Sequence, residues 1–434
     1  MSVRELEVWL DQTHVGVLRD EGSHWAFAYA PTWLANPQGF DLSPGLKRAK
    51  SPIVDGSNQR PVQWFFDNLL PEENARRTLT NAARTDAADA WGLLTWLGAE
   101  SAGAFTLLPP GVTAGESGLT PLPEAVLDQR IRDLPRIPLQ AGAPKRMSLA
   151  GAQEKLAVIL AEDQLYEPIG GRPSTHILKP DTTATGYPHS AVNEWFCMQL
   201  AAALKLPVPE SRLLHVPSAV YCVARFDRRA DPGTGEVRRL HTLDGAQLLS
   251  LSGQYKYAEN TLDSLLAIVE LCRAKVQTRR DLFRWLAFNV LIGNGDAHLK
   301  NLSFHLDAGG VRLAPHYDLV STAIYSTPEL DPHPPHWPDA ALSMPLGQAR
   351  RFGEVRRMDI LQVAEALSVP AKLAGGYLDE LLGLALPRAD ALLESYRGMA
   401  GIPGEARPGE ERTLRAIRHM AMAEMTMRLG DGGA

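Results

Sequence analysis

The stretch that decides the fold is GNGDAHLKN, residues 293 to 301. In it Asp296 and Asn301 stand five positions apart, the D-x-x-x-x-N spacing of protein kinase catalytic loops. In such a loop the aspartate accepts or orients the proton of the attacking hydroxyl, and the asparagine oxygen holds Mg²⁺. An Asp and an Asn beside glycines would also suit an ordinary turn. The preceding LFRWLAFNVLI is apolar almost all round and predicts a buried helix.

A second acidic residue, Asp318, follows the loop after a predicted hairpin. The strands LSFHL and VRLAP are separated by Gly309 and Gly310, which favour a tight turn. Because a hairpin returns the chain to where it began, we expect Asp318 to lie beside Asn301. Two oxygen ligands from neighbouring segments suit Mg²⁺. Protein kinases have Asp-Phe-Gly here, whereas this chain continues with Leu and Val, and an aspartate that caps a turn is the alternative interpretation.

Two upstream segments contain candidate phosphate ligands. Lys179, near the end of the strand-like STHILKP, would place its ammonium on phosphates, with Glu194 of the next helix as its partner. The alternatives are a solvated charge at a strand edge and a glutamate that favours a helix dipole. SLAGAQEK, residues 148 to 155, has small residues that would let backbone N–H groups approach phosphates. It matches neither G-x-G-x-x-G nor the Walker pattern, and a turn leading into a strand would look the same.

Composition excludes several classes of protein. The net charge of −6 over 434 residues argues against a free-standing nucleic-acid binder. The N-terminal MSVRELEVWLDQ has no apolar core of a secretory signal, and no apolar run is long enough to span a bilayer. The three cysteines are widely spaced, which favours reduced thiols over a disulfide framework or a zinc site. We therefore expect a cytoplasmic protein.

The chain is long enough for two or three packed regions. Residues 1–108 begin with a predicted hairpin, LEVWL and HVGVL, and continue with two helical stretches, the second capped by Asp86. Residues 109–144 are rich in Pro and Gly and predict a linker or irregular connection. Strands followed by helices are expected from residue 145 onward.

Taken together, these segments resemble the HipA family, the kinase toxins of bacterial toxin–antitoxin pairs. The resemblance rests on SLAGAQEK, THILKP, NEWFCMQLA, ARFDR, GNGDAHLKN and APHYDL, and on FFDNLLPE and WGLLTWLGAESAGAFTLLP near the N-terminus. It implies an α+β, two-lobed fold like that of protein kinases and phosphatidylinositol kinases. An N-terminal α/β subdomain (1–108) and a connection (109–144) would precede a kinase N-lobe core (145–228) and a mainly helical C-lobe (229–434).

The same resemblance implies a role for each site residue. Asp296 would be the catalytic base, and Asn301 and Asp318 would be the metal ligands. The implied ATP contacts are Ala150, Gly151, Ala152, Gln153, Glu154, Lys155, Lys179, Ala224, Arg225, Phe226, His298, Leu299, Lys300, Asn301, Tyr317 and Asp318. Ser148 aligns with the serine on which family members autophosphorylate, a change that ejects the phosphate loop and silences the enzyme. Without the family, Ser148 would be an ordinary turn or capping hydroxyl.

The resemblance also implies cofactors and partners. They are ATP with Mg²⁺, a HipB-like helix-turn-helix antitoxin, and a protein substrate such as glutamyl-tRNA synthetase or another translation protein. Operator DNA would be bound only together with the antitoxin, and no membrane is involved. The alternative is a catalytically weak corepressor that acts with an antitoxin on operator DNA. A kinase for a small molecule or lipid is a third hypothesis, for which the sequence offers no lipid pocket.

Overall fold

The computed structural model describes residues 3–22, 24–399 and 407–430. The N-terminal region combines an antiparallel sheet with short helices. Its strands are β1 (Arg4–Leu10), β2 (Thr13–Asp20), β3 (Trp25–Tyr29), β4 (Ile53–Val54) and β5 (Phe105–Leu108), paired in the order β4-β3-β2-β1-β5. Its helices are α1 (Pro31–Ala35), α2 (Pro61–Asp67), α3 (Glu73–Ala83) and α4 (Ala90–Leu97). The predicted hairpin is present as β1 and β2.

Alternation along the first strands buries one face of this sheet. Leu6 and Val8 point into the core together with Phe27, whose ring lies 5.8 Å from that of Phe66 on α2. The predicted cap of the following helix is wrong by three positions. Asp89, not Asp86, caps α4, with its side chain accepting a hydrogen bond from the Gly92 N–H, whereas Asp86 accepts from Ala88 in the preceding turn.

A second antiparallel sheet follows. Its strands are β6 (Gly118–Pro121), β7 (Leu156–Ala161), β8 (Gln164–Ile169), β9 (His176–Pro180), β10 (Ser211–Val216) and β11 (Ser218–Ala224), in the order β10-β11-β9-β7-β8-β6. Helix α5 (Glu124–Arg132) precedes β7, and α6 (Ser190–Ala203) packs against β10 and β11. Residues 109–144 are therefore not irregular throughout, because they contain β6 and α5. A proline is tolerated in β6 because this strand lies at the edge of the sheet.

The C-terminal half is mainly helical. Its helices are α7 (Gly245–Leu248), α8 (Leu262–Leu271), α9 (Lys275–Leu291), α10 (Arg357–Ala366), α11 (Ala371–Met399), α12 (Pro408–Ala416) and α13 (Ala423–Gly430). Short strand pairs or triplets are formed by β12 (Arg228–Ala230) with β13 (Val237–Arg239), β14 (Thr242–Asp244) with β15 (Ser303–Asp307) and β16 (Gly310–Leu313), and β17 (Ala341–Leu346) with β18 (Ala349–Arg351). The α+β class predicted from the sequence is confirmed.

Helix α9 and the hairpin β15–β16 position the loop that contains Asp296 and Asn301. Helix α9 is buried on nearly all sides over its second half, as its apolar sequence predicted, and its end is marked by Gly293, whose φ of 66° is left-handed. The hairpin β15–β16 pairs antiparallel and so returns the chain towards the loop after α9. Within the described residues no helix is long and apolar enough to cross a membrane.

Candidate active site

A cavity lies between the second sheet and the loop after α9. Segments far apart in sequence line it, and they include most of the predicted site residues. These are Ala150, Gly151, Ala152, Lys155, Lys179, Ala224, Arg225, Phe226, Asp296, His298, Lys300, Asn301, Tyr317 and Asp318. The convergence expected of Asp296, Asn301 and Asp318 is therefore present in the fold.

The loop after α9 is fixed by its own polar side chains. The Asn294 side-chain oxygen accepts a hydrogen bond from the Asp296 N–H at 3.0 Å, and the Asn301 amide donates to the Asp296 carbonyl at 2.7 Å. The five-residue spacing thus closes a small ring that holds Asp296 and Asn301 side by side. The Asp296 carboxylate is 47% exposed. Partial burial, reinforced by the charge of Asp318, raises the pKa of Asp296 above its usual value.

Lys179 joins two carboxylates at the centre of the cavity. Its ammonium lies 2.7 Å from the Glu194 carboxylate and also contacts Asp318. The Glu194 side chain is buried, whereas that of Asp318 is 30% exposed, so the two acids respond differently to their surroundings. Burial opposes ionisation of both, but Lys179 and Lys155 outweigh it at Asp318 and hold the pKa of that carboxyl well below its usual range. At Glu194 burial prevails and raises the pKa to about 7. The surroundings thus favour the charged form of Asp318 and the neutral form of Glu194.

The segment from residue 150 to 155 forms a tight cradle beside Lys179. The Lys155 ammonium donates to the Ala150 carbonyl at 2.6 Å and closes the loop. Gly151 has a φ of 108°, and a Cβ there would collide with the Lys155 ammonium. Burial, together with the nearby charge of Lys179, lowers the pKa of Lys155. This end of the cavity carries two cations and a glycine backbone, which suits an anionic group.

The other end of the cavity contains two aromatic side chains. The rings of Phe226 and Tyr317 lie 5.2 Å apart, and the Tyr317 hydroxyl donates to the Lys300 carbonyl at 2.6 Å. Arg225 also reaches this end, but its guanidinium is buried against the Asp227 carboxylate at 2.6 Å. A nucleobase could pack against these two rings. The charge of Arg225 is already paired with Asp227 and is not available to a ligand.

Three predicted ATP contacts lie outside this cavity. Leu299 is fully buried in the core, because it sits between the loop and α7. The Glu154 carboxylate turns away and accepts from the Leu139 N–H at 3.4 Å. Gln153 lines an adjoining cleft, and its amide donates to the Pro180 carbonyl at 2.8 Å. Gln153 and Glu154, which follow each other in the cradle, both direct their side chains away from the cavity, which a resemblance in sequence does not reveal.

Two more predicted residues are in place but already engaged. The Lys300 ammonium lines the cavity while contacting the Asp244 carboxylate and, at 2.8 Å, the Asn68 side-chain oxygen. The Ser148 hydroxyl is buried and donates to the Leu69 carbonyl at 2.6 Å. In this conformation Ser148 cannot receive a group from solvent.

The sequence interpretation missed several residues of the cavity. The Tyr257 hydroxyl donates to the Asp296 carboxylate at 2.5 Å, and the Lys256 ammonium beside it contacts Glu72 at 2.8 Å. These residues come from the segment SGQYKYAEN and from the N-terminal region. No periodic or local spacing connects them to the loop after α9, so only the fold brings them there.

The residues present fit a divalent cation together with phosphates. Asn301 and Asp318 both line the cavity, and an ionised carboxylate with an amide oxygen are the hard oxygen ligands that Mg²⁺ prefers. Among the described residues, no group of three or more His, Cys, Asp or Glu side chains could hold a metal ion alone. Phosphate oxygens and water would therefore complete the coordination.

Comparisons with known proteins match both halves of the chain to one family. Residues 147–385 match the HipA-like C-terminal domain, and residues 6–108 match the HipA N-terminal domain. The putative kinase Y4mE of Sinorhizobium fredii is 36% identical over 76% of this chain and 80% of its own length. The serine/threonine-protein kinase toxin HipA of Shewanella oneidensis is 32% identical over 74% of this chain and 76% of its own length.

A solved structure extends the likeness to the whole fold. The complex of Shewanella oneidensis HipA with HipB and operator DNA contains a chain that superposes with a TM-score of 0.77. The two chains are 26% identical, and the match covers 98% of this chain and 97% of the other. The two-lobed fold is thereby shared along nearly the entire length. The chain belongs to the HipA family of serine/threonine-protein kinases.

Proposed function

We propose that this kinase transfers the γ-phosphoryl group of Mg-ATP to a serine or threonine hydroxyl of a protein. One observation carries the proposal: Asp296, Asn301, Asp318 and Lys179 surround a single cavity. Phosphoryl transfer needs little more than a carboxylate near the attacking hydroxyl, a site for the metal and cations for the phosphates.

Each side chain would have a separate task in this reaction. The oxygen of the acceptor hydroxyl would bond to the γ-phosphorus while Asp296 accepts the proton of that hydroxyl. The bond between the γ-phosphorus and the bridging oxygen would break, and ADP would leave with that oxygen. Asn301 and Asp318 would hold the cation, which neutralises phosphate charge when bound. Lys179 and Lys155 would position the phosphates. Glu194 would keep Lys179 in place by accepting a hydrogen bond from its ammonium at 2.7 Å.

The nucleotide would lie along the cavity from its cationic end to its aromatic end. The cradle around Gly151 is narrow enough for backbone N–H groups to approach phosphate oxygens. The adenine would pack at the Phe226–Tyr317 end, next to the backbone of residues 224–226. Leu299 and Glu154 would have no side-chain part in binding, because both lie outside the cavity lining.

A toxin role and its regulation are the finer part of the proposal. The Shewanella oneidensis protein was solved as a complex of HipA, HipB and operator DNA, and we propose a HipB-like helix-turn-helix antitoxin for this chain. The net charge of −6 suits an arrangement in which the antitoxin makes most contacts with operator DNA. The proposed target is a cytoplasmic translation protein, with glutamyl-tRNA synthetase as the first candidate.

Autophosphorylation of Ser148 would switch the kinase off. A phosphate on this hydroxyl has no room where the serine now lies, since its oxygen is buried 2.6 Å from the Leu69 carbonyl. Its charge would also repel the ATP phosphates. The segment that contains Ser148 must move away from Leu69 before the hydroxyl can be phosphorylated. A phosphorylated Ser148 could not return to this buried position.

The proposed reaction is tested with Asp296→Asn, which keeps the shape of the side chain and removes its basicity. We expect phosphoryl transfer from labelled ATP to fall by roughly 10² to 10⁴. Asp307→Asn is the matched control, because Asp307 is a half-exposed aspartate of the β15–β16 hairpin paired with Arg312. Phosphopeptide enrichment after brief expression of both variants would identify the target. Equal transfer by the two variants would refute the role of Asp296.

A further inference from the structure

Tyr257 stands at the mouth of the cavity with its hydroxyl on the catalytic carboxylate. The phenolic O–H donates to an Asp296 oxygen at 2.5 Å. The same side chain also lines a second, wider cleft of about 830 Å³, which opens beside the first and shares Asp296 and Asp318 with it. Tyr257 therefore lies where the nucleotide cavity meets the approach from solvent.

The position of Tyr257 is fixed by its neighbours rather than by burial of its ring. The side chain is 49% exposed, so packing contributes little to its placement. On one side Lys256 is held by ion pairs to Glu72 at 2.8 Å and Glu73 at 3.1 Å. On the other side the Asn260 amide donates to two backbone carbonyls at 3.0 and 2.8 Å. The segment between these anchors presents the phenol to Asp296.

Contacts of the ring with Lys256, whose ammonium lies 5.2 Å from the ring centroid, and with His298 also set its direction. The Tyr257 ring meets the His298 ring edge-on, with centroids 4.9 Å apart and planes at 80°, an arrangement favoured for aromatic pairs. Both contacts involve only the ring, so replacing Tyr257 by phenylalanine would preserve them. The hydroxyl can thus be removed without disturbing the rest of the side chain.

An acceptor must place its own O–H on Asp296 to be phosphorylated, and the phenol now holds that position. We propose that Tyr257 has a stand-in role: its hydroxyl occupies the position of the acceptor hydroxyl on Asp296. A protein segment that docks in the wider cleft displaces Tyr257 from this position. This inference rests on the proposed role of Asp296 as the base. Tyr257 is then a specificity-determining residue. An acceptor that contacts the enzyme only through its reacting oxygen gains too little binding free energy to displace the Tyr257 hydroxyl from Asp296.

Water is the acceptor that such a residue would chiefly exclude. In hydrolysis Asp296 takes a proton from water, the water oxygen bonds to the γ-phosphorus, and the bond to the bridging oxygen breaks to release ADP and inorganic phosphate. A phenol on the carboxylate keeps water from this position. Without the hydroxyl, ATP would be hydrolysed without a protein acceptor.

The test compares Tyr257→Phe with the wild type in hydrolysis of Mg-ATP without any protein acceptor. The proteins are first treated with a phosphatase that is then removed, and initial rates are measured. We expect kcat for hydrolysis to rise about five- to tenfold, the equivalent of one hydrogen bond that no longer has to be broken. The KM for ATP should stay unchanged. Tyr255→Phe is the matched control, because Tyr255 is as exposed as Tyr257 but is not among the described residues that line the cavity.

The possible outcomes separate this inference from the proposed function. Hydrolysis that rises in Tyr257→Phe and disappears when Asp296→Asn is added supports both. An Asp296-dependent wild-type activity that Tyr257→Phe leaves unchanged or lowers, with an unchanged melting temperature, overturns the stand-in role and leaves the kinase proposal intact. Wild-type hydrolysis that persists in Asp296→Asn refutes the proposed base, and the stand-in role with it.

Discussion

Glu100 is the most connected charge of the described residues, and neutralising it gives a sharp prediction about stability. Its carboxylate is fully buried, and four cations surround it at 2.7 to 3.4 Å: Lys145, Arg228, Arg239 and Arg225. Burial alone would raise the pKa of Glu100, but these cations outweigh it and hold that pKa well below its usual range. Glu100→Gln keeps the size of the side chain and removes only the charge.

The expected loss can be estimated from this geometry. Breaking a buried ion pair by removing one partner costs roughly 3–5 kcal/mol, because the remaining charge stays buried. Here Lys145 would lose its carboxylate partner, whereas Arg225 and Arg228 keep Asp227 and Arg239 keeps Asp11. The glutamine oxygen would still accept hydrogen bonds. We therefore expect the free energy of unfolding to fall by about 3 kcal/mol at pH 7, measured by denaturant unfolding followed by tryptophan fluorescence.

A surface ion pair in the same region provides the control. Glu5 contacts Arg19 at 2.9 Å, but both side chains are more than a third exposed. Glu5→Gln should change the free energy of unfolding by less than about 0.5 kcal/mol. Because the pKa of Glu100 is depressed in the folded state, its contribution is present above pH 4.5 and is lost as the pH falls well below that value. Equal losses in the two variants, or a loss in Glu100→Gln that does not depend on pH, would refute this account.

Three further outcomes are expected. Gly151→Ala should raise the KM for ATP on the order of tenfold, because a side chain at a φ of 108° is strained and meets Lys155 in the cradle. Steady-state kinetics would measure this change. An unchanged KM would show that the cradle is not part of the ATP-binding site. Burial raises the pKa of Glu194 to about 7, so its contribution to stability is present at low pH and is lost as the pH rises through 7. Glu194→Gln should therefore flatten the decline in melting temperature between about pH 5 and 8, and a decline identical to that of the wild type would contradict the shift. Mg-ATP at about 100 times its dissociation constant should stabilise the protein by about 2.7 kcal/mol in a thermal shift assay; no stabilisation at millimolar nucleotide would favour the corepressor alternative.

The parts of the site that the sequence predicted are those determined by local geometry. Asp296 and Asn301 belong to one loop, whose ring of hydrogen bonds needs only their spacing. Asp318 returns to them through the β15–β16 hairpin, for which the two glycines were a direct signal. Lys179 and Glu194 lie on a strand and the helix after it, so their pairing also follows from consecutive elements.

The parts that were missed depend on contacts between distant segments. Tyr257 reaches Asp296 from a turn with no regular pattern, and Asp244 reaches the predicted Lys300 from a separate strand. Strand β6 was hidden by its glycine and proline, which are tolerated only because it pairs along one edge with β8. Such pairings depend on the tertiary packing of the whole chain, which no local spacing reports.

The phosphate cradle is supported by the N-terminal region as much as by the second sheet. The Ser148 N–H donates to the Glu100 carbonyl at 2.6 Å, and the Glu72 N–H donates to the Gly151 carbonyl at 3.0 Å. The Ser148 hydroxyl adds the bond to Leu69. All three acceptors or donors on the N-terminal side lie before residue 109, outside the segment that matches the HipA-like C-terminal domain. Any event that frees the cradle must break these bonds, so the two family segments work as one unit in holding the loop that would bind ATP.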